Sequence, residues 1–174
     1  IHPGWGDGFY LKDLFPNALI ISLFEYYYRS RGADVGFDPE FPISFDDIFR
    51  VRTLNSIQHF ALESFDIGIC PTAWQKSRYP DAYQDRLECL HEGIDTEVAR
   101  PNVQASFVLP NGRVLSAGDE ILTFVSRSLE PYRGFHQFMR ALPKILKERP
   151  DCQVVIVGQD APSYGPTPKY EASW

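Results

Sequence analysis

The chain has 174 residues, a formal net charge of −6 at pH 7 and 44% hydrophobic residues, the composition of an ordinary globular protein. No apolar run reaches the ~20 residues that span a bilayer, and the acidic balance argues against an extended nucleic-acid-binding surface. Its cysteines, Cys70, Cys89 and Cys152, are far apart and form no C-x-x-C motif. This spacing argues against a zinc site or a disulfide framework and favours a reducing, cytoplasmic environment.

The first residues form a glycine-rich loop. Gly4, Gly6 and Gly8 give G-x-G-x-G, which differs from the dinucleotide-binding fingerprint G-x-G-x-x-G. His2 stands at the entrance of this loop and Asp7 within it, and histidine is the usual acid/base group near neutral pH. From the residues alone, an ordinary loop histidine is the favoured interpretation. The missing initiator Met predicts an excised fragment.

Apolar runs and helical patterns alternate through the first half of the chain. Residues 18–24, 66–70 and 87–91 predict short buried strands, and a capping box at Ser44 begins a long helix that runs to about Ser64. A basic helical segment starts near Trp74. This alternation indicates an α/β fold with a parallel sheet.

Polar aromatic residues follow the first of these strands, at positions 25–29. Their rings could stack on a sugar, or they could close the core with their hydroxyls in water. Asp38 and Glu40 lie in a turn-rich loop without a histidine, so they offer too few ligands for a hard cation and predict a solvated loop. His59 and Glu63 lack H-E-x-x-H and are interpreted as surface or interdomain groups.

A polar, proline-containing segment at residues 96–102 marks the predicted domain boundary, with one domain at 1–95 and a second at 96–174. Just beyond it, Asn111-Gly112 lies between two apolar runs and predicts a β-hairpin.

In the second domain, the hairpin is followed by a pattern that favours phosphate binding. Residues 121–125 form a continuous apolar run, which predicts a strand covered by helices on both faces. Arg127, Arg133 and Gly134 follow in a predicted loop that leads into an amphipathic helix. Helix N-termini and strand carboxyl ends favour anions, so both arginines could converge on a diphosphate. Because surface arginines are more often solvated, spacing alone leaves this hypothesis open. Residues 152–157 predict the next strand, ended by Gly158, and residues 162–168 a loop.

Taken together, these motifs resemble the retaining GT-B glycosyltransferases of group 1, or glycosyltransferase family 4. The segment from Ser126-Arg127 to Arg133-Gly134 is similar to the family's strand, Gly-Arg, spacer, Lys-Gly and helix. The other marks, in chain order, are Ala73 to Ser77, Glu92-Gly93-Ile94-Asp95 with Arg100-Pro101, and Val155 to Gly158. The resemblance covers nearly the whole chain.

The resemblance implies two Rossmann-like parallel-sheet domains of GT-B type, both incomplete in this chain. Residues 1–95 would be the carboxyl-terminal part of the acceptor-side domain, and residues 96–174 the amino-terminal part of the donor-side domain. Arg127, Arg133 and Gly134 would bind the donor diphosphate, with arginine at position 133 where the family usually has lysine. Ser126, in place of the family's glycine, and Gly158 would line the donor-side loop.

His2 would be the catalytic histidine near the sugar, and Gly4, Gly6 and Asp7 would line the acceptor side. The implied partners are a nucleotide-sugar donor and a sugar, lipid or glycan acceptor, without nucleic acid, cofactor or essential metal. A peripheral membrane contact of the full-length protein stays open. The family's first strands would precede Ile1 and its E-x7-E segment would follow Trp174, so this chain alone is expected to have negligible transferase activity.

Two alternatives remain at this stage. A binding module for a nucleotide or sugar, or a structural fragment, would share these motifs without chemistry. A dehydrogenase is weaker, because G-x-G-x-x-G and its downstream ribose-binding acid are absent.

Overall fold

The computed structural model describes residues 1–161 and Ser163, and the chain divides into two compact units, unit 1 (Ile1–Asp95) and unit 2 (Thr96–Trp174). The division falls at the start of the polar segment 96–102, while the acceptor and donor roles of the units stay predictions. The loop predicted at 162–168 lies outside the described residues, apart from Ser163. None of the described helices combines the length and apolar character needed to cross a membrane.

Unit 1 is built on a small parallel sheet. Its strands are β1 (Ile21–Leu23), β2 (Ile67–Cys70) and β3 (Leu87–Cys89), which pair in the order β1-β2-β3. Its helices are α1 (Leu11–Leu14), α2 (Phe45–Ser64), α3 (Ala73–Arg78) and α4 (Asp81–Gln84), with a 3-10 turn at Pro3–Trp5. The α/β alternation with a parallel sheet is confirmed here.

The strands of unit 1 are shorter than the apolar runs predicted. Before β1, backbone groups bond to side chains instead of to a ladder: Ala18 O accepts from Lys12 Nζ at 3.0 Å, and Ile20 N donates to Asp66 Oδ2 at 2.8 Å. An apolar run reports burial but not which partner its backbone groups find. The runs therefore overestimate strand length.

Helix α2 begins as the sequence predicts. Ser44 forms a reciprocal capping box with Asp47, which satisfies donors that the first turn leaves without helical partners. Its buried face carries two amides, Asn55 and Gln58, among apolar residues. Each amide bonds outside the helix: Asn55 to the backbone of Tyr28, and Gln58 Oε1 accepts from the Tyr79 hydroxyl at 3.5 Å. The face of α2 is thus built for specific partners as well as for apolar burial.

The core of unit 1 lies between α2 and the sheet. Phe24, Leu62, Tyr79 and Leu87 are almost fully buried, and the Phe24 ring packs edge to face on Phe65 at 4.9 Å and on Tyr79 at 5.4 Å. Burying such side chains contributes about 1.5–3 kcal/mol each, and edge-to-face ring pairs add to this. Burial raises the pKa of the Tyr79 phenol, so its hydroxyl stays neutral.

Lys12 and Asp66 join α1 to the start of β2. Lys12 Nζ lies 2.7 Å from Asp66 Oδ2 and 2.9 Å from Oδ1. The hydrogen bond from Lys12, followed by that from the backbone N–H of Ile20, holds the pKa of Asp66 below its ordinary value. A carboxyl group with a lowered folded pKa stabilises the fold above its unfolded pKa, and this contribution is lost as pH falls.

We therefore expect Asp66→Asn to weaken the pH dependence of stability in the acid range. At about pH 7 the variant should unfold at a lower urea concentration than the parent protein. The difference between the two urea midpoints should narrow from about pH 4 downwards, as Asp66 of the parent gains its proton. Urea midpoints measured across this range test the expectation. Asp13→Asn, which changes an exposed carboxylate of α1, is the control. It should leave the dependence of the urea midpoint on pH unchanged. Parallel curves for parent and Asp66→Asn would contradict the assignment.

Unit 2 contains a hairpin and a strand–helix–strand segment. Strands β4 (Ser106–Val108) and β5 (Val114–Ser116) pair antiparallel, with Gly112 at φ 83° in the turn, so the predicted hairpin is confirmed. Strands β6 (Ile121–Ser128) and β7 (Gln153–Gln159) pair in parallel, and α5 (Phe135–Glu148) connects them with Pro143 inside the helix. The predicted order of strand, helix and strand is confirmed.

Three expectations for this segment are wrong in detail. Helix α5 covers one face of the sheet, where Phe124 contacts Phe135 and Phe138 at 5.4 and 4.9 Å between ring centroids. The opposite face is open within the described residues, since Val125 is 71% exposed, although a cover on both faces was expected. Strand β6 continues beyond the apolar run to Ser128, and β7 includes Gly158, because pairing resumes at Ser128–Gln159 after a register shift.

Candidate functional site

The carboxyl edge of the unit 1 sheet brings several polar groups together. The backbone of Ile1 bonds to β1, since its carbonyl accepts from Leu23 N at 2.8 Å, and this places His2 beside the strand. Glu25 follows the end of β1, and His2 Nε2 lies 3.0 Å from its Oε2. Gln75 in the first turn of α3 donates from Nε2 to the carbonyl of Glu25 at 2.9 Å. Parallel sheets bind ligands at this edge, so His2 lies where a substrate would be expected.

Gly4 of the glycine loop packs closely against the His2 ring. A Cβ added at Gly4 would stand 2.8 Å from His2 Cε1, so a larger residue would push the ring away. Gly6 has φ 83° and ends the 3-10 turn in a left-handed conformation, which favours glycine. Asp7 is exposed, and no hydrogen bond or ion pair joins it to His2 in the described part of the chain. Of the predicted acceptor-side residues, Gly4 therefore packs against the His2 ring, Gly6 ends the turn beside Phe9, and Asp7 has no bond to His2 among the described residues.

The His2 ring is held on one side and unsatisfied on the other. Its Nε2 faces Glu25, whose side chain is 60% exposed. Its Nδ1 is buried and has no hydrogen-bond partner among the described residues. Buried polar atoms without a partner are uncommon, and they concentrate at functional sites. Sequence reasoning missed the role of Glu25, whose signal was its position directly after an apolar strand.

The aromatic residues after β1 divide between the core and the surface of unit 1, and sugar stacking stays a prediction. Tyr27 is buried and its hydroxyl lies 3.0 Å from His59 Nε2. Tyr26 contacts Tyr28 at 5.3 Å and Trp74 at 6.1 Å between ring centroids, and Trp74 is 53% exposed. Exposed rings of this kind offer an apolar face with a polar rim, which suits a sugar ring.

In unit 2, the residues predicted in a donor-side loop lie in strands. Ser126 and Arg127 are part of β6 and Gly158 is part of β7; this corrects the prediction, and its cause is the continued pairing described above. Ser126 Oγ donates to Ser128 O at 2.9 Å. A Cβ at Gly158 would stand 2.8 Å from Ser126 O, so glycine allows the two strands to approach. Arg127 is on the exposed face of β6.

The second arginine belongs to the entry of helix α5. Pro131–Arg133 forms a 3-10 turn, and Gly134 at φ 76° ends this turn and begins the helix. Arg133 Nε lies 3.9 Å from Oε1 of Glu130, a carboxylate that is fully buried. Glu130 Oε2 also accepts from Ser163 N at 2.9 Å. Sequence reasoning missed this buried acid, which partly offsets the positive charge of Arg133 beside the helix N-terminus.

A family model described as "Glycosyl transferase family 4 group" matches residues 1–99, more than half of the chain. The match includes the whole of unit 1, with His2, Glu25 and the aromatic residues at the sheet edge, whereas Arg127 and Arg133 lie outside it. Comparison with curated proteins and with solved structures gives no match. The chain therefore belongs to the glycosyl transferase family 4 group, a family of sugar-transferring enzymes.

Proposed function

We propose that this chain is part of a retaining GT-B enzyme that transfers a sugar from a nucleotide-sugar donor to an acceptor. In this proposal unit 1 is the acceptor-side domain, unit 2 is the donor-side domain, and both are incomplete Rossmann-like domains. The single observation that carries the proposal is the pairing of His2 with Glu25 at 3.0 Å on the carboxyl edge of the sheet, inside the segment that matches the family.

His2 is the proposed catalytic group of unit 1. Glu25 orients its ring through Nε2, and Gly4 leaves the space that this orientation needs. An oriented imidazole can exchange a hydrogen bond or a proton with a sugar hydroxyl. Tyr26 and Trp74 offer ring faces on which the sugar can stack. Gly6 shapes the loop, and Asp7 stays a proposed acceptor-side residue without a contact to His2.

Arg127, Arg133 and Gly134 are the proposed diphosphate-binding residues of unit 2, with Ser126 and Gly158 beside them. Positive groups held near a departing diphosphate stabilise the negative charge that develops on it. The backbone N–H groups at the start of α5 add a further anion-binding element. No essential metal is required by this arrangement, since arginines supply the positive charge.

The proposal is tested by calorimetric titration of the 174-residue chain with UDP, GDP and ADP. We expect saturable binding of one of these nucleotides and weaker binding of the matching monophosphate, because the proposed contacts are to the diphosphate. Absence of binding by all three would contradict the donor-side assignment. Turnover with the matching nucleotide sugar is expected to be negligible for this chain alone. Binding without any transfer by a form that contains the flanking family segments would favour the alternative of a non-catalytic binding module.

A further inference from the structure

A second feature of unit 1 is a cleft of about 250 Å³ between the segment that follows β1 and one side of α2, from which both buried and exposed residues line it. Arg29 and Ser30 come from the segment, and Arg52 and His59 come from the helix. Tyr27 and Val51 supply apolar wall. The cleft shares Tyr27, Tyr28 and Arg29 with the aromatic segment at positions 25–29, whereas His2, Glu25 and Trp74 do not line it.

The walls of the cleft are fixed to each other by partly buried hydrogen bonds. Asn55 accepts from Tyr28 N at 2.9 Å through Oδ1 and donates to Tyr28 O at 2.8 Å through Nδ2. The Tyr27 hydroxyl and His59 Nε2 form a second link at 3.0 Å. Such links hold a cavity open before its ligand arrives, which reduces the cost of ordering on binding.

The cleft is basic in a unit that carries more acidic than basic residues. Within the described chain, neither Arg29 nor Arg52 forms an ion pair with a carboxylate. The Arg29 side chain donates a long hydrogen bond of 3.4 Å to Tyr79 O and lies over the Tyr27 ring. Asp34 Oδ2 accepts from the backbone N of Arg29, at 3.1 Å, and not from its guanidinium.

Arg29 and Arg52 line the same cleft from the two elements that form it. Burial raises the pKa of the Tyr27 phenol, and the positive charges of Arg29 and Arg52 oppose this rise. Two cations that line one cleft repel each other, and an anion between them would relieve the repulsion.

We propose that this cleft binds the phosphate group of a phosphorylated acceptor. Two guanidinium groups from separate elements suit a dianion with three terminal oxygens, whereas a planar carboxylate is satisfied by one bidentate arginine. The volume lies below the roughly 300–1,000 Å³ of pockets that enclose whole drug-sized ligands. The cleft therefore holds the charged group, and the rest of the acceptor extends outside it. The inference that the phosphate belongs to an acceptor rests on the proposed function, in which unit 1 binds the acceptor.

Titration of the 174-residue chain with glucose 6-phosphate, glucose, inorganic phosphate and acetate tests this proposal. We expect glucose 6-phosphate and inorganic phosphate to compete for one site and to shift the His59 side-chain NMR signals, and we expect glucose and acetate to bind at least about tenfold more weakly. Arg52→Gln should weaken phosphate binding about tenfold. Arg50→Gln removes the same charge from the same helix outside the cleft and should change binding less than about twofold.

The proposal is overturned if Arg50→Gln weakens binding as much as Arg52→Gln, because the effect would then come from net charge alone. It is also overturned if glucose binds as tightly as glucose 6-phosphate. Binding of inorganic phosphate but not of the sugar phosphate would remove the acceptor assignment. Arg29→Gln gives a second variant, and circular dichroism verifies that each variant is folded. Because these measurements need no sugar transfer and no nucleotide, their outcome is separate from that of the nucleotide titration.

Discussion

Gly68→Val is expected to destabilise unit 1 by about 3 kcal/mol, close to a hundredfold in its unfolding equilibrium. Gly68 lies in the central strand β2, between Ser22 of β1 and Leu87 of β3. A Cβ there would overlap Leu87 Cδ2 and would stand 3.0 Å from Phe65 Cε2 and 3.1 Å from Phe24 Cδ2. These three side chains are buried in the core, so none can move aside without displacing others.

Urea unfolding followed by near-ultraviolet circular dichroism measures the effect, since the buried tyrosines report on this core. Gly68→Ala should give a smaller loss, about 1–2 kcal/mol. Gly8→Val is the matched control. Gly8 has no positive φ, and its added Cβ would meet only Ile1 Cγ2, at 3.2 Å. Equal losses at positions 8 and 68 would show that the core around β2 is looser than the contacts indicate.

Local sequence signals predicted the parts of the fold that depend on neighbouring residues. The capping box at Ser44 and the turn at Asn111-Gly112 are short-range hydrogen-bonding patterns, and both are present. Strand ends were predicted less well. At β6 the apolar run stops at Val125, but the strand continues to Ser128 because β7 supplies backbone partners. The sequence of one strand does not show which strand pairs with it.

In the candidate site, too, residues with local sequence signals were predicted, and contacts between residues far apart in the chain were not. His2 was recognisable as a candidate from its loop and from the family resemblance. Its contact with Glu25 spans 23 positions in the chain and depends on the backbone bonds between Ile1 and β1. Glu130 was missed for another reason: an exposed acid and a buried one look alike in sequence, although burial makes an acid far more costly and therefore far more specific in its partners.

The two arginines proposed for the diphosphate site, Arg127 and Arg133, have different surroundings. Arg133 Nε lies 3.9 Å from the buried carboxylate of Glu130, so truncating Arg133 removes a cation and also leaves an anion beside the helix N-terminus. Arg127 lies on the exposed face of β6. The loss caused by Arg133→Ala therefore combines the proposed diphosphate contact with the change around Glu130. Arg133→Lys keeps the charge and introduces the lysine that the resemblance implies at this position.

We expect Arg127→Ala to weaken binding of the preferred nucleoside diphosphate about 10- to 100-fold. A hydrogen bond to a charged group contributes about 1.5–3 kcal/mol, and each 1.4 kcal/mol is tenfold in affinity. Calorimetric titration measures this loss, and Arg133→Lys should stay within a few-fold of the parent protein. Arg113→Ala, which removes the same charge from the exposed hairpin of unit 2, is the control. If Arg113→Ala and Arg127→Ala weaken binding equally, the loss reflects general electrostatic attraction, and Arg127 has no place in the diphosphate site.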